Sequence, residues 1–118
     1  MINILKTDFE YKDSRGELIQ LIHKGYEQVN LLISLKGVTR GEHYHKKARE
    51  AFYVIKGRVN VTCTFNGKSE EYNFSVGDFF EISQMVLHSM YFPEDCTMVQ
   101  LYSVPVENEN GEKDIYTS

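Results

Sequence analysis

Between Gly37 and Gly57 the chain reads Gly-Val-Thr-Arg-Gly-Glu-His-Tyr-His-Lys-Lys-Ala-Arg-Glu-Ala-Phe-Tyr-Val-Ile-Lys-Gly. In this stretch His43 and His45 are two residues apart, and Glu50 follows five residues later. Side chains at positions i and i+2 of a β-strand point to the same face, so both imidazoles can reach one point. The polar residues after His45 favour a turn, which lets Glu50 open the next strand and face that same point.

Glu50 begins a strand in which the other residues on its own face are apolar. Phe52 and Val54 share that face, which marks it as interior. An isolated buried charge costs several kcal/mol, so a carboxylate there must be paired or coordinated. Two imidazoles and a carboxylate that converge in a barrel interior suit a first-row divalent metal. The stretch therefore predicts a metal site.

Outside this stretch the pattern predicts strands and turns. Residues 58–65 carry apolar side chains at alternate positions, and Asn66-Gly67 then predicts a tight hairpin. Farther upstream, Val29, Leu31 and Ile33 share one face of a looser alternation. Strands that recur every 8 to 12 residues or so, with no helical period, indicate an all-β antiparallel sandwich or barrel.

The end of the chain has a different composition. Residues 107–113 are acidic and rich in Gly and Asn, which predicts a mobile loop. The segment Asp114-Ile115-Tyr116 could dock back onto the barrel. A chain of 118 residues suffices for one core but not for two. We therefore predict a single domain over residues 1–118, with its core at about 13–105 and a C-terminal tail at 106–118.

Charge and composition exclude several classes of partner. The formal net charge of −4 leaves no basic excess for a phosphate backbone, so we expect no nucleic-acid partner. No apolar run approaches the roughly 18 residues of a membrane span, and the N-terminus lacks the features of a signal peptide. Cys63 and Cys96 have no metal-type spacing and are expected to stay reduced. We therefore expect a cytoplasmic protein with no membrane partner.

The spacing of glycines, histidines and glutamate between Gly37 and Gly57 resembles the first conserved motif of the cupin superfamily. A second cupin motif is recognisable at Gly77-Asp78 and His88. There, Ser83-Gln84-Met85 stands where the family has Pro-x-Gly, and Tyr91 stands where it has asparagine. The resemblance implies an antiparallel double-stranded β-helix, which is the cupin or jelly-roll barrel.

In metal-binding cupins the ligands are the two histidines and the glutamate of the first motif and the histidine of the second. The resemblance carries these roles over to His43, His45, Glu50 and His88. The implied cofactor is a divalent metal ion, and a set of imidazoles with one carboxylate accepts zinc, iron, manganese or nickel.

A finer resemblance concerns the turn Asp13-Ser14-Arg15-Gly16 and the element Arg40-Gly41-Glu42-His43. Both resemble cupins that act on nucleotide-linked sugars, namely 3,4-ketoisomerases, 3,5-epimerases and the cupin domain of a capsular-polysaccharide reductase. The capsular domain binds metal through the same ligand set, whereas the other two work without metal and use a histidine as the base. The resemblance implies an epimerase or isomerase of a nucleotide-linked keto-sugar in surface-polysaccharide biosynthesis.

Three residues are candidates for catalysis. In a metal-free mechanism, His45 or His43 would act as the base. Arg40 lies at the predicted barrel mouth, where its guanidinium could hold a carboxylate or a diphosphate. Tyr53, Tyr91 and Tyr102 are assigned to packing.

Two other functions remain open from the sequence. One is a metal-dependent dioxygenase acting on a small organic substrate, and the other is a small-ligand-binding cupin without catalytic activity. Small single-domain cupins also form dimers, so the resemblance implies a homodimer. The apolar segments Leu31-Leu32-Ile33 and 98–104 are the candidate faces for it.

Overall fold

The chain folds into twelve strands over residues 1–117, which are the residues that the computed structural model describes. The strands are β1 (Ile2–Ile4), β2 (Phe9–Asp13), β3 (Gly16–Gln20), β4 (Gln28–Ser34), β5 (Thr39–Tyr44), β6 (Glu50–Lys56), β7 (Arg58–Phe65), β8 (Lys68–Ser75), β9 (Phe79–Ile82), β10 (Leu87–Tyr91), β11 (Cys96–Tyr102) and β12 (Tyr116–Thr117). Within those residues, no helix is long and apolar enough to cross a membrane.

Ten of the strands form two five-stranded antiparallel sheets. One sheet has the order β1-β9-β6-β11-β4, and the other has the order β12-β5-β10-β7-β8. Strands β2 and β3 form a separate hairpin, which the turn at Asp13 and Gly16 closes. Except for β7 and β8, neighbours in each sheet are not consecutive in sequence, which is the winding of a double-stranded β-helix. The predicted fold class is confirmed.

The hairpin of β7 and β8 shows how sequence alternation becomes a core. Val59, Val61 and Cys63 of β7 are fully buried, because their side chains all point to the inner face. Asn66 and Gly67 connect the strands with φ values of 51° and 74°. Positive φ at both central residues is the requirement of the tight turn that the Asn-Gly pair predicts, and this prediction is confirmed.

Aromatic stacking within and between the two sheets forms the centre of the core. Phe80 of β9 stacks on Phe74 of β8 with ring centroids 3.9 Å apart, and on Phe52 of β6 with centroids 5.3 Å apart. Cys63 and Cys96 are buried free thiols, as the sequence predicts.

The simplest interpretation of the alternation in β4 is that its apolar face points into the barrel, and the structure differs from it. Val29, Leu31 and Ile33 point outward and are 62%, 67% and 63% exposed. Asn30 and Ser34, on the opposite face, point into the barrel, and Ser34 is almost completely buried. The inner face of this edge strand is mixed, because Leu32 lies between Asn30 and Ser34 and lines the cavity that is described below.

The C-terminal segment returns to the barrel, as the sequence predicts. Strand β12 pairs with β5, so that Tyr116 lies opposite Tyr44 and Thr117 lies opposite His43. The acidic stretch before it forms a turn in which the side-chain oxygen of Asn108 accepts main-chain N–H bonds. Mobility of that turn stays a prediction, and Ser118 of the predicted tail lies outside the described residues.

Candidate metal centre

Strand register brings the four predicted ligand side chains together. His43 near the end of β5 lies opposite His88 on β10, His45 directly follows β5, and Glu50 is the first residue of β6. One donor atom from each of the four residues lies within 4.8 Å of the others. The residues come from both sheets, so the cluster exists only when the barrel is closed.

The carboxylate of Glu50 is at the centre of the cluster. Its Oε1 atom is 3.1 Å from Nε2 of His45 and 3.1 Å from Nε2 of His88. The ring of His43 completes the group, with its centroid 5.0 Å from that of His45 and 4.7 Å from that of His88. Glu50, His45 and His88 are each at most 3% exposed, whereas His43 is partly exposed.

Gly41 allows β5 to approach β10 closely enough for this register. Its φ is +101°, and a Cβ atom there would lie 2.8 Å from the carbonyl oxygen of His88 and 3.1 Å from Cα of Ser89. The pairing of the two strands also shifts by a bulge between His88 and Ser89. Glycine at position 41 therefore lets the two ligand-bearing strands meet.

The hydrogen bonds of the other ring nitrogens fit a metal site. Nδ1–H of His45 donates to the main-chain oxygen of Asp114 over 2.6 Å, and Nδ1–H of His88 donates to the carbonyl of Val86 over 3.1 Å. A carbonyl oxygen only accepts, so these bonds place a proton on Nδ1 in both rings. Both Nε2 atoms then face Glu50: a protonated ring donates its Nε2–H to the carboxylate, whereas a neutral ring has its Nε2 lone pair free to bind a metal. The donor set and its orientation fit a divalent ion.

Further polar residues orient Glu50. Nε2 of Gln100 donates to the second carboxylate oxygen of Glu50 over 2.7 Å and to the hydroxyl of Tyr102 over 3.1 Å. The Oε1 atom of Gln100 in turn accepts a hydrogen bond from Asn30 over 3.0 Å. Sequence reasoning missed Gln100, although a polar residue between Met98 and Tyr102 on an inward-facing side of a strand was an available signal.

The electrostatics of the cluster favour an ionised Glu50. Burial opposes ionisation, but the hydrogen bonds from His45 and His88 outweigh it and hold the pKa of Glu50 well below its usual range. Burial also acts to lower the pKa of His45, yet the bond to Glu50 raises it overall. For His43, burial and the nearby His88 lower the pKa. Without metal, Glu50 is therefore an anion beside a neutral His43.

A cavity of about 200 Å³ opens over three of the four side chains, His43, Glu50 and His88. Its remaining lining consists of Leu32, Arg40, Gly41, Phe52, Met90 and Gln100. The guanidinium of Arg40 is held in place, since Nε donates to Oγ of Ser34 over 2.9 Å and Nη2 donates to the carbonyl of Ile33 over 3.1 Å. The cavity thus combines apolar walls, one fixed cation and the ligand cluster.

The altered second motif still delivers His88 to the cluster. Met85 stands at the position of the family's glycine and adopts a φ of 69°. Its main-chain N–H donates to the carbonyl of His45 over 2.8 Å, which ties this loop to the first motif. Met85 therefore adopts the left-handed conformation that a glycine would favour, although its side chain makes that conformation sterically unfavourable.

Tyr102 lies closer to the site than a packing role alone requires. Its ring meets that of His45 edge-on, with centroids 5.4 Å apart. Burial raises the pKa of Tyr102 well above its usual range, and the neighbouring Glu50 raises it further. The phenol is thus a proton donor at neutral pH, beside the carboxylate.

The two sheets, the barrel winding and the position of the cluster are those of the cupin fold. Among family models, that of the polysaccharide biosynthesis C-terminal domain matches residues 11–116. The chain belongs to this family. Comparison with curated proteins found no match.

Several solved structures share this fold at low sequence identity. The sugar 3,4-ketoisomerase QdtA from Thermoanaerobacterium thermosaccharolyticum, in complex with TDP, has a TM-score of 0.80 at 20% identity, over 99% of this chain and 88% of that one. The capsular polysaccharide assembling protein CapF from Staphylococcus aureus has a TM-score of 0.70 at 22% identity, over 98% and 32%. The dTDP-4-dehydrorhamnose 3,5-epimerase from Sulfolobus tokodaii has a TM-score of 0.70 at 16% identity, over 93% and 79%.

Proposed function

We propose that this protein is a metal-binding epimerase or isomerase that acts on a nucleotide-linked keto-sugar in surface-polysaccharide biosynthesis. The observation that carries the proposal is the cluster of His43, Glu50 and His88 at the base of a cavity that also holds a fixed arginine. Membership of the polysaccharide biosynthesis family supports the pathway. The keto-sugar enzymes among the similar structures support the substrate class.

The chemistry requires removal of an acidic proton beside a sugar carbonyl. His43, His45, Glu50 and His88 would hold the divalent ion, which when bound supplies Lewis-acid stabilisation of the negative charge on the carbonyl oxygen. In a metal-free enzyme the base would be a histidine. His43 is the better placed of the two candidates, because it lines the cavity and its pKa is lowered, whereas His45 reaches the cluster from outside the cavity lining.

The other cavity residues bind the substrate and exclude water. Arg40 offers a guanidinium that is already oriented by Ser34 and Ile33, so little side-chain entropy is lost when it binds a diphosphate or carboxylate. Leu32, Phe52 and Met90 form apolar walls against the sugar ring. A cavity of about 200 Å³ accommodates a single sugar, so the nucleotide would lie outside the barrel mouth.

The test is solvent exchange into a keto-sugar. Purified protein is incubated with TDP-4-keto-6-deoxyglucose in deuterium oxide, and proton NMR follows the hydrogens on the carbons beside the carbonyl. We expect enzyme-dependent loss of one of these signals. The variant His43→Asn should lower the exchange rate by at least about a hundredfold, the range of a lost acid–base group or ligand. The matched control is His23→Asn, because His23 is an exposed histidine that pairs with Asp8 outside the cluster.

Two other outcomes would overturn the proposal. Consumption of oxygen by the metal-loaded protein, without exchange into the sugar, would favour the dioxygenase. Binding of a nucleotide sugar with neither exchange nor oxygen uptake would favour a non-catalytic ligand-binding protein.

We also propose that the protein is a homodimer joined through β4. Strand β4 is an edge of its sheet, and its outward side chains Val29, Leu31 and Ile33 form an exposed apolar row. The other candidate segment is a poor interface, because β11 is an inner strand with Met98 and Leu101 buried in the protomer. Light scattering after size exclusion should show a dimer that Leu31→Lys converts to a monomer. Val76→Lys, at an equally exposed valine between β8 and β9, should leave the dimer intact.

A further inference from the structure

The C-terminal strap, residues 106–117, runs from the start of β4 to the first ligand motif. The strap leaves the barrel where the N–H of Val106 donates to the side chain of Gln28 over 2.9 Å. Within the strap, the N–H of Asp114 donates to the carbonyl of Val106 over 2.8 Å, and the strap ends in β12 beside His43. Residues more than 60 positions from His45 in sequence thus contact the motif. Asp114, for example, is 69 residues from His45.

Asp114 makes the contacts that matter for the ligands. Its carboxylate accepts the main-chain N–H groups of Lys46, Lys47 and Ala48, each over 2.9 Å. Its main-chain oxygen accepts the Nδ1–H of His45 over 2.6 Å. One residue, only 7% exposed, therefore holds both the ring of His45 and the turn that follows it.

These contacts determine where two ligands lie. The turn that Asp114 holds is the connection between His45 and Glu50, so its shape sets the distance between an imidazole ligand and the carboxylate ligand. The bond to Nδ1 fixes the ring orientation and leaves Nε2 directed at Glu50. A carboxylate suits this place because three converging N–H donors form an anion-binding concavity.

We propose that Asp114 is the positioning residue of the metal centre, and that it sets the affinity for a divalent ion through His45 and the turn after it. This inference rests on the metal centre of the proposed function. It predicts that metal affinity depends on a residue that is not a ligand and that belongs to the far end of the chain.

The experiment measures cobalt and zinc binding to the full chain by titration against a competing chelator, together with the visible absorption of the cobalt form. Asp114→Ala should weaken binding by about 10- to 100-fold, the range for residues that orient metal-bound histidines, and should change the cobalt spectrum. Asp114→Asn keeps one side-chain oxygen and should lose less. Glu109→Ala removes an exposed carboxylate from the same strap and should bind like the wild type.

The outcomes separate this inference from the metal centre itself. A role in folding alone would lower the unfolding midpoint of the metal-free Asp114→Ala protein and leave affinity and cobalt spectrum unchanged, which would overturn the inference while the metal centre stands. Wild-type protein that binds neither ion would overturn both. If Asp114→Ala does not fold, the same comparison with Asp114→Asn decides, because an affinity equal to that of the wild type overturns the inference.

Discussion

The two segments that supply the ligand cluster differ in how they are held. In the first, residues 37–57, the glycine at 41 allows close strand pairing, and two of the three ligands are oriented by residues from elsewhere, Asp114 for His45 and Gln100 for Glu50. In the second, residues 77–92, the turn-forming Pro-x-Gly is absent and Met85 adopts the left-handed conformation without a glycine.

This difference indicates that strand register, rather than the local turn, positions His88. His88 lies on β10 between β5 and β7, and its partners there are His43 and Cys63. Two neighbouring strands therefore fix its position whatever the sequence of the preceding loop. The first motif has no such double support at His45, which lies just beyond the end of β5, and it depends on contacts from the strap.

The largest effect should come from removing either histidine ligand. If register holds His88 as firmly as the strap holds His45, His45→Ala and His88→Ala should both lower metal affinity by more than about a hundredfold, beyond the effect of an orienting residue. Elemental analysis after anaerobic purification measures the metal that is retained. His23→Ala is the control. Retention of metal by His88→Ala, but not by His45→Ala, would show that the second motif contributes no ligand.

The next effect concerns the pairing of the two motifs. Gly41→Ala places a Cβ atom against the backbone of His88 and also imposes a strained φ, so it should destabilise the fold by about 3 kcal/mol. Gly67→Ala is the matched control, since its φ is +74° with no heavy atom within 4 Å of the added Cβ. It should cost only about 1 kcal/mol. Urea denaturation measures both, and equal losses would mean that the close approach of β5 and β10 is unimportant.

A smaller effect tests the support of Glu50. Gln100→Ala removes the donor to one carboxylate oxygen while leaving all four ligands, so metal affinity should fall by about tenfold. Chelator competition measures this change, and Gln20→Ala on the exposed hairpin is the control. An unchanged affinity would show that Glu50 needs no orienting partner. The position of Glu50 would then depend on strand register alone, as we infer for His88.

The parts of this molecule that the sequence predicts are those with local signals. His43, His45 and Glu50 are close in sequence, and the strand period alone indicates that they can share a face. The burial of Glu50 follows in the same way from Phe52 beside it, and the structure agrees. The Asn66-Gly67 turn depends only on its own two residues.

The contacts between the ligands and residues distant in sequence have no such local signal. Asp114 is 69 residues from His45, and Gln100 is 50 residues from Glu50. Alternation places Gln100 on the inward side of its strand, but it does not indicate that Gln100 would reach Glu50, and no local pattern places Asp114 beside His45. For β4, alternation separates two faces but does not say which one points inward, since the inner face carries Asn30 and Ser34 beside Leu32 and the outer face is the more apolar one.

The smallest effect is a gain in stability at the second motif. Met85→Gly removes the steric strain of a left-handed residue, which is worth about 1 kcal/mol. Part of this gain in stability is lost, because glycine has greater conformational freedom in the unfolded chain. The side chain is 46% exposed, so little packing is lost. We expect a net stabilisation of about 0.5 kcal/mol, which calorimetry should record as a rise in the unfolding midpoint of about 2 °C. Ser83→Gly, in the same loop without positive φ, should lower the midpoint instead. If both variants lower it, the left-handed turn is not a source of strain, and the register of β10 supports the loop without any local cost.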